Sequence, residues 1–316
     1  MKIAFHDNCL CVRGTTVALY NYAYWSKKYL NIEPVIIYNK FNPANDKMGY
    51  DKCASQFPVF AYNDVIQIDD ILSNENCDAL FAIKGGAPDG VISNISKTLI
   101  CAVSSRCTKN DIHGDIFAMG SEWLSENIGG VPSVPHIVHL PNTEEDMREE
   151  LSIPNDALVL GRNGGWETFD LPFVKKAIIE VLGQRDDLWF IFQYTEPFYQ
   201  HERIIYLNGT ADLVEKTKFI NTCDAMIHAR YIGESFGLSC AEFSIRNKPV
   251  ITWYNSLERN HIYTLGDKGI YYENENDIKF ILLNLDKKEI NELEWNCYQD
   301  YSPEKVIKKF EEVYLQ

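Results

Sequence analysis

The chain lacks any apolar run of about 18 residues, so no membrane-spanning helix is expected from it. It opens MKIAFHDNCLCV, where one Lys precedes a strand-like run that His6, Asp7 and Asn8 break. A secretory leader needs a longer apolar core and a small-residue cleavage site, so none is expected. The 9 cysteines are odd in number, scattered, and never spaced Cys-x-x-Cys. That pattern excludes a disulfide framework and argues against a zinc site. It reads as small buried residues in a reducing compartment, and a cytoplasmic location is expected. His136 and His139 have no further ligand types close by and read as structural. No Asp-x-Asp stands at a strand end, so neither a metal nor another cofactor is expected. Internal repeats and low-complexity tracts are also missing.

Basic residues are the scarcer charge: 30 Lys and Arg against 45 Asp and Glu, for a formal net charge of −15. Such a surface repels nucleic acid and anionic membranes, and neither is an expected partner. A local cluster of donors can still hold an anionic small molecule. What is present is a globular composition, 46% hydrophobic and 13% aromatic, over 316 residues. That length suggests two domains.

The pattern along the chain alternates. KIAFHD reads as a strand, the loop at Arg13 and Gly14 leads into the helical run TTVALYNYAYWSKKYL, and EPVIIYNK is the next strand. Strand, Gly-containing turn, helix, strand is how a doubly wound domain begins. Further strands are read at QFPVFAYN, DALFAIK, KTLICAVSS and DIFAMGS. Pro132, Pro135, Pro141 and the acidic run NTEEDMREELSIPND then interrupt the pattern. ALVLGRNGG restarts it, followed by helical DLPFVKKAIIEVLGQ, strand DLWFIFQYT, helical DLVEKTKFINTC and strand DAMIHAR. The expected division is 1–150 for an N-terminal Rossmann-like domain, 151–296 for a C-terminal Rossmann-like domain, and 297–316 for a final amphipathic helix. In that helix Val306, Phe310 and Val313 form an apolar stripe.

The segment with most chemistry is GESFGLSCAEF. A strand leads into Gly233, Glu234, Ser235, Phe236, Gly237 and Leu238, and a helix then begins. Free amides at a helix start favour an anion, and a glycine lets a ligand approach the backbone. Glu242 follows Glu234 by 8 residues, into that helix. One carboxylate can therefore face a sugar while the other reaches a ribose. The blander reading is a Glu placed for the helix dipole and another that is merely solvated. The joint pattern, placed after a strand of a Rossmann-like domain, favours the ligand site.

GESFGLSCAEFSIRNKPVI resembles the Glu-x7-Glu region of retaining glycosyltransferases of family four, which have the GT-B fold. ALVLGRNGG and FINTCDAMIHAR resemble the segments that precede that region, so the likeness spans much of the C-terminal half. The resemblance implies an α/β fold with two Rossmann-like domains facing across a cleft and a last helix that crosses back to the N-terminal domain. It places the donor sugar on Glu234 and the ribose on Glu242. The phosphates fall to the amides of Phe236, Gly237 and Leu238, with Ser239 beside them. Arg162, followed by Asn163, Gly164 and Gly165, would fork onto the diphosphate. The family has a Lys five positions later, where this chain carries Glu167.

The N-terminal half matches less specifically. Arg13, Gly14, Thr15 and Thr16 stand where the family's first loop meets donor phosphates and acceptor, although Thr15 also suits a plain helix cap. His113 stands about where the family carries a His near the sugar, or is an incidental loop residue. Lys84, Gly85 and Gly86 end a strand and are candidates for the acceptor. The implied reaction moves a sugar from a nucleotide-diphosphate sugar to a carbohydrate or glycoconjugate hydroxyl with retention and without metal. The alternatives are a nucleotide-sugar epimerase, a sugar phosphorylase, or a non-catalytic nucleotide-sugar-binding relative. The donor, the acceptor and the oligomeric state are left open.

Overall fold

A computed structural model describes residues 1–316. The chain divides into two compact units, Met1–Ile137 with Asp300–Gln316, and Val138–Gln299.

The first unit holds β1 (Lys2–Asp7), β2 (Glu33–Asn39), β3 (Val59–Tyr62), β4 (Ala79–Lys84), β5 (Lys97–Ala102) and β6 (Ile116–Met119). They form one six-stranded sheet in the order β3-β2-β1-β4-β5-β6, and every pairing is parallel. A parallel sheet must be covered on both faces, and the strands read accordingly. Ile3 and Phe5 of β1 lie in one core, while Ala4 between them lies in the other. Phe81 and Ile83 of β4 repeat this against Leu80 and Ala82. The first core is closed by the helix Gly14–Leu30, through Ala18, Leu19, Tyr22 and Ala23. Val17, Tyr20 and Tyr24 of the same helix are only partly buried. The face with the small alanines packs inward, where it lets the helix approach the sheet closely.

The terminal helix Pro303–Tyr314 joins the same core with Val306, Ile307, Phe310 and Tyr314. The chain thus returns to its first unit at the end. Phe310 sets its ring 5.2 Å from Phe81, and Tyr314 donates its hydroxyl to the Ile100 carbonyl at 3.0 Å.

The second unit holds β7 (Leu158–Asn163), β8 (Leu188–Gln193), β9 (Ile204–Leu207), β10 (Ala225–His228), β11 (Gly233–Glu234), β12 (Val250–Trp253), β13 (Glu258–Arg259) and β14 (Ile270–Tyr272). Six of them form a parallel sheet ordered β14-β12-β10-β7-β8-β9, and β11 pairs with β13 apart from it. Counted from the start of each unit, both sheets have the same doubly wound order. In such sheets the topological switch lies where the winding reverses, between β1 and β4 and between β7 and β10, and ligands sit at the carboxyl ends there.

The Pro-rich, acidic stretch that suggests a division near 150 lies in the second unit from Val138 onward. Specific polar contacts bring it there. The Arg148 guanidinium pairs with Asp224 at 2.8 Å, and the Met147 amide donates to the Thr222 hydroxyl at 2.8 Å. Asn221 and Arg246 both donate to the Thr143 carbonyl, at 2.8 and 2.9 Å. At the far end, Asp300 already counts with the first unit. No helix is long and apolar enough to cross a membrane.

Candidate functional site

In the second unit, the carboxyl ends of β7 and β10 carry the residues that the sequence singles out. β10 ends at His228, and the turn that follows passes Arg230 to reach Glu234 in β11. Gly233 has φ +77, and a Cβ there would come within 2.1 Å of the Glu258 carbonyl, so only glycine allows β11 to meet β13. Gly237 has φ +91 and begins the helix Leu238–Ile245 with no side-chain cap. The first amides of this helix are therefore not taken by a capping side chain, and they carry the positive end of its dipole. The side chain of Phe236 packs inward. Its ring is buried against Tyr298, and Asn260 holds its carbonyl at 2.8 Å.

Glu234 is gripped by one oxygen. His228 Nε2 and Arg230 Nη1 both reach Oε1 at 3.1 Å, and Oε2 has no protein partner. Burial alone would raise its pKa. The His228 hydrogen bond and the Arg230 charge outweigh that and hold the carboxyl down at about 2. Glu234 is therefore a fixed carboxylate with one free acceptor oxygen.

Glu242 is buried in the same helix. Lys216, from the helix Leu213–Thr222, donates to Oε1 at 2.8 Å, and Asn163 Nδ2 reaches Oε2 at 3.3 Å. Ser239 donates its hydroxyl to Asn163 Oδ1 at 2.5 Å. Ser239, Asn163, Glu242 and Lys216 thus form one polar chain between the end of β7 and the start of the helix.

Arg162 sits differently from what the sequence suggests. It is 3% exposed, and its terminal nitrogens are engaged within the unit. Nη2 donates to the Gly165 carbonyl at 3.0 Å and to Thr168, while Nη1 donates to Thr195. Burial lowers its pKa to about 10. This guanidinium braces the loop after β7 rather than standing open to a ligand. Arg230, less buried and beside Glu234, is the cation nearer to solvent. Glu167 is exposed.

In the first unit, Arg13 precedes the helix Gly14–Leu30 and makes no cap bond, and Thr15 lies inside the first turn rather than capping it. Thr16 donates to Asp7 Oδ2 at 3.0 Å. Burial raises the Asp7 pKa to about 6 against the hydrogen bonds from Thr16 and Thr15. Lys84 is buried and tied to Asp89 and the Val91 carbonyl, so its charge is not presented. Beside it a recess of about 310 Å³ opens, lined by Gly85, Gly86, Asp89, Ser104 and Arg106. Arg106 is exposed there. His113 is not part of this group. It precedes β6, at the amino edge of the parallel sheet, whereas Asp7 and Lys84 end β1 and β4 at the carboxyl edge and Arg13 follows β1 there. Its Nδ1 meets the Asp111 carbonyl at 2.7 Å.

Sequence reasoning missed Lys216, Arg230, His228 and Arg106. Arg230 had a local signal, since it lies four residues before Glu234 in the same turn. Lys216 had none, because only the fold brings the two helices together.

Two Rossmann-like units of identical winding, with the last helix returned to the first, define the GT-B fold. Solved structures of that fold superpose on the chain along its full length. A glycosyltransferase from Rickettsia africae matches with a TM-score of 0.71 at 14% identity, covering 99% of this chain and 97% of that one. HepE from Anabaena, in complex with UDP-glucose, matches with 0.70 at 13% identity, covering 99% and 98%. A putative UDP-N-acetylglucosamine 2-epimerase from Listeria monocytogenes matches with 0.65 at 12% identity, covering 100% and 96%. No protein-family model matches the sequence, and no curated protein does.

Proposed function

We propose that the chain is a retaining, metal-independent glycosyltransferase of the family-four kind. It moves a sugar from a nucleoside-diphosphate donor to a hydroxyl of a carbohydrate or glycoconjugate acceptor. The observation that carries this reading is the state of Glu234. It is an ionised carboxylate, held through Oε1 by His228 and Arg230, with Oε2 open. Such an oxygen accepts only, so it calls for a ligand rich in hydroxyl donors. The uncapped helix start and Arg230 next to it suit the diphosphate of the same ligand. Glu242, set by Lys216 and Asn163, retains lone pairs for a ribose diol.

In the proposed step, the bond from the anomeric carbon to the diphosphate oxygen breaks and the acceptor oxygen bonds to the same face. The acceptor proton passes to an oxygen of the leaving diphosphate. Charge gathers on that leaving group, where the helix amides and Arg230 stabilise it without a metal. Arg162 supports the step from behind by fixing the loop that carries Gly164 and Gly165. The acceptor is assigned to the first unit, at the recess that carries Arg106. UDP-sugars are the donors to try first, since HepE is seen with UDP-glucose.

The test is nucleotide release from a panel of nucleoside-diphosphate sugars with and without candidate acceptors. Proton NMR of the product then reads the anomeric configuration. Inversion at the anomeric carbon would refute the retaining mechanism. A second reading is an epimerase, favoured by the likeness to the Listeria protein. Interconversion of free UDP-sugars with no acceptor present would select it.

A further inference from the structure

Behind Glu234 lies a buried line of three side chains. β10 and β12 pair so that His228 stands opposite Thr252, and the ladder fixes their separation. His228 Nδ1 lies 2.9 Å from the Thr252 hydroxyl, and the same hydroxyl lies 3.1 Å from Nε2 of His261. His261 belongs to the helix Asn260–Leu265, and its ring centroid is 4.9 Å from that of His228. Thr252 and His261 are fully buried, and His261 Nδ1 has no partner.

The donors and acceptors along this line admit one neutral arrangement. Burial, with the neighbouring His228, pushes the His261 pKa to about 3, so its ring is neutral. Nδ1 has no partner in either tautomer, and a stranded N–H is tolerated less readily than a stranded acceptor. The proton therefore sits on Nε2 and is donated to Thr252. A hydroxyl has one hydrogen, so Thr252 donates its own to His228 Nδ1. His228 then carries its proton on Nε2, where the Glu234 carboxylate needs a donor. Starting instead from Glu234 gives the same order. A second proton on His228 would reverse both Thr252 bonds and leave the His261 proton stranded on Nδ1.

We propose that Thr252 and His261 are positioning residues, which hold His228 in the tautomer that donates from Nε2 to Glu234 Oε1 and so leave Oε2 directed to a hydroxyl of the donor sugar. The assignment of the sugar rests on the transferase reading. The order of protons does not. Nothing in the line touches substrate except Glu234. The other charged groups close to Glu234 are Arg230, on the same oxygen, and Arg162, which acts at longer range.

The tautomers are read directly by long-range proton–nitrogen NMR on protein labelled with ¹⁵N-histidine. His228 and His261 should each show a protonated Nε2 and a bare Nδ1. A bare Nε2 on His228 overturns the proposal without any assay. For function, Thr252→Val removes the hydroxyl and keeps the shape. It should lower kcat by about tenfold, the scale of one lost hydrogen bond, while the affinity for UDP stays at the wild-type value. Thr252→Ser should restore kcat. A Thr252→Val protein with wild-type kcat also overturns the proposal. If the tautomers are as stated but the wild-type chain turns over no nucleotide-sugar, the transferase reading falls and the proton order stands.

Discussion

Lys216 donates its ammonium to Glu242 Oε1 at 2.8 Å, across two helices that the sequence does not connect. The side chains are 14% and 6% exposed, so water screens the pair little. The pair fixes the Glu242 carboxylate before any ligand arrives, and preorganisation of this kind reduces what binding must order.

Glu242→Ala should therefore weaken UDP binding by about 1.5–3 kcal/mol, the range for a lost hydrogen bond to a charged group. Calorimetry with free UDP measures this. Unchanged affinity would take Glu242 out of the nucleotide site.

Arg162 and Arg230 should separate stability from binding. Arg162 is buried, with both terminal nitrogens bonded to loop and strand-end acceptors. Arg162→Ala strands those acceptors and should cost about 2–4 kcal/mol of folding stability, at 1–3 for each unsatisfied group with partial relaxation. Arg230→Ala should leave the urea midpoint nearly unchanged and weaken UDP binding. The opposite pattern, with a soft fold from Arg230→Ala and lost affinity alone from Arg162→Ala, would return the diphosphate to Arg162.

Acid should destabilise the chain from just below pH 6.5. Burial lowers His6 and His136 to about 4 and His261 to about 3. Their ordinary value is 6.5, so as pH falls the unfolded chain takes up these protons first. The stability they permit is full above pH 6.5 and is lost down to about pH 4, or about 3 for His261. Each contributes a slope of up to about 1.4 kcal/mol per pH unit. Asp7 acts against them. Its folded pKa is raised to about 6, so the folded state holds that proton first and gains stability as pH falls below 6. Three groups outweigh one. Urea midpoints between pH 7.5 and 5 should fall, and His136→Gln should flatten the fall. A pH-independent midpoint over that range contradicts the buried neutral histidines.

Transfer should survive a chelator, because helix amides and Arg230 are assigned the charge that a metal would otherwise neutralise. Complete loss of activity in EDTA, recovered with magnesium or manganese, would mean a different class of transferase.

The doubly wound order was legible because parallel strands buried on both faces read as short apolar runs separated by helical ones. The Glu234 loop was legible for a similar reason: Gly233 and Gly237 mark backbone that only glycine adopts, and they frame the carboxylate in sequence. What surrounds the site was not. His228, Thr252 and His261 lie on three elements, and nothing local distinguishes them from ordinary core residues. The burial of Arg162 was not legible, because an arginine beside glycines looks free, whereas Thr168 and Thr195, one of them from beyond β8, bond to it. The place of His113 was not legible either, because spacing cannot tell which edge of a parallel sheet a loop occupies.

The terminal helix is the last test of the fold. Free in water, a helix as short as Pro303–Tyr314 would be marginal. Its stability must come from its apolar face, where Phe310 meets Phe5, Tyr22 and Phe81 at ring separations of 6.4, 5.7 and 5.2 Å. Those three rings belong to β1, the first helix and β4, so Phe310 joins the elements flanking the switch point of the first unit. Phe310→Ala should cost about 3–5 kcal/mol, the range for a deleted buried aromatic. The loss should fall on the first unit. In hydrogen exchange read by mass spectrometry, peptides from β1, β4 and residues 303–314 should lose protection together, while β7 and β10 keep theirs. Cutting the chain after Tyr301 should go further, exposing the same rings and the Ile100 carbonyl that Tyr314 now covers. If Phe310→Ala leaves β1 and β4 as protected as before, the helix lies on that core without holding it together.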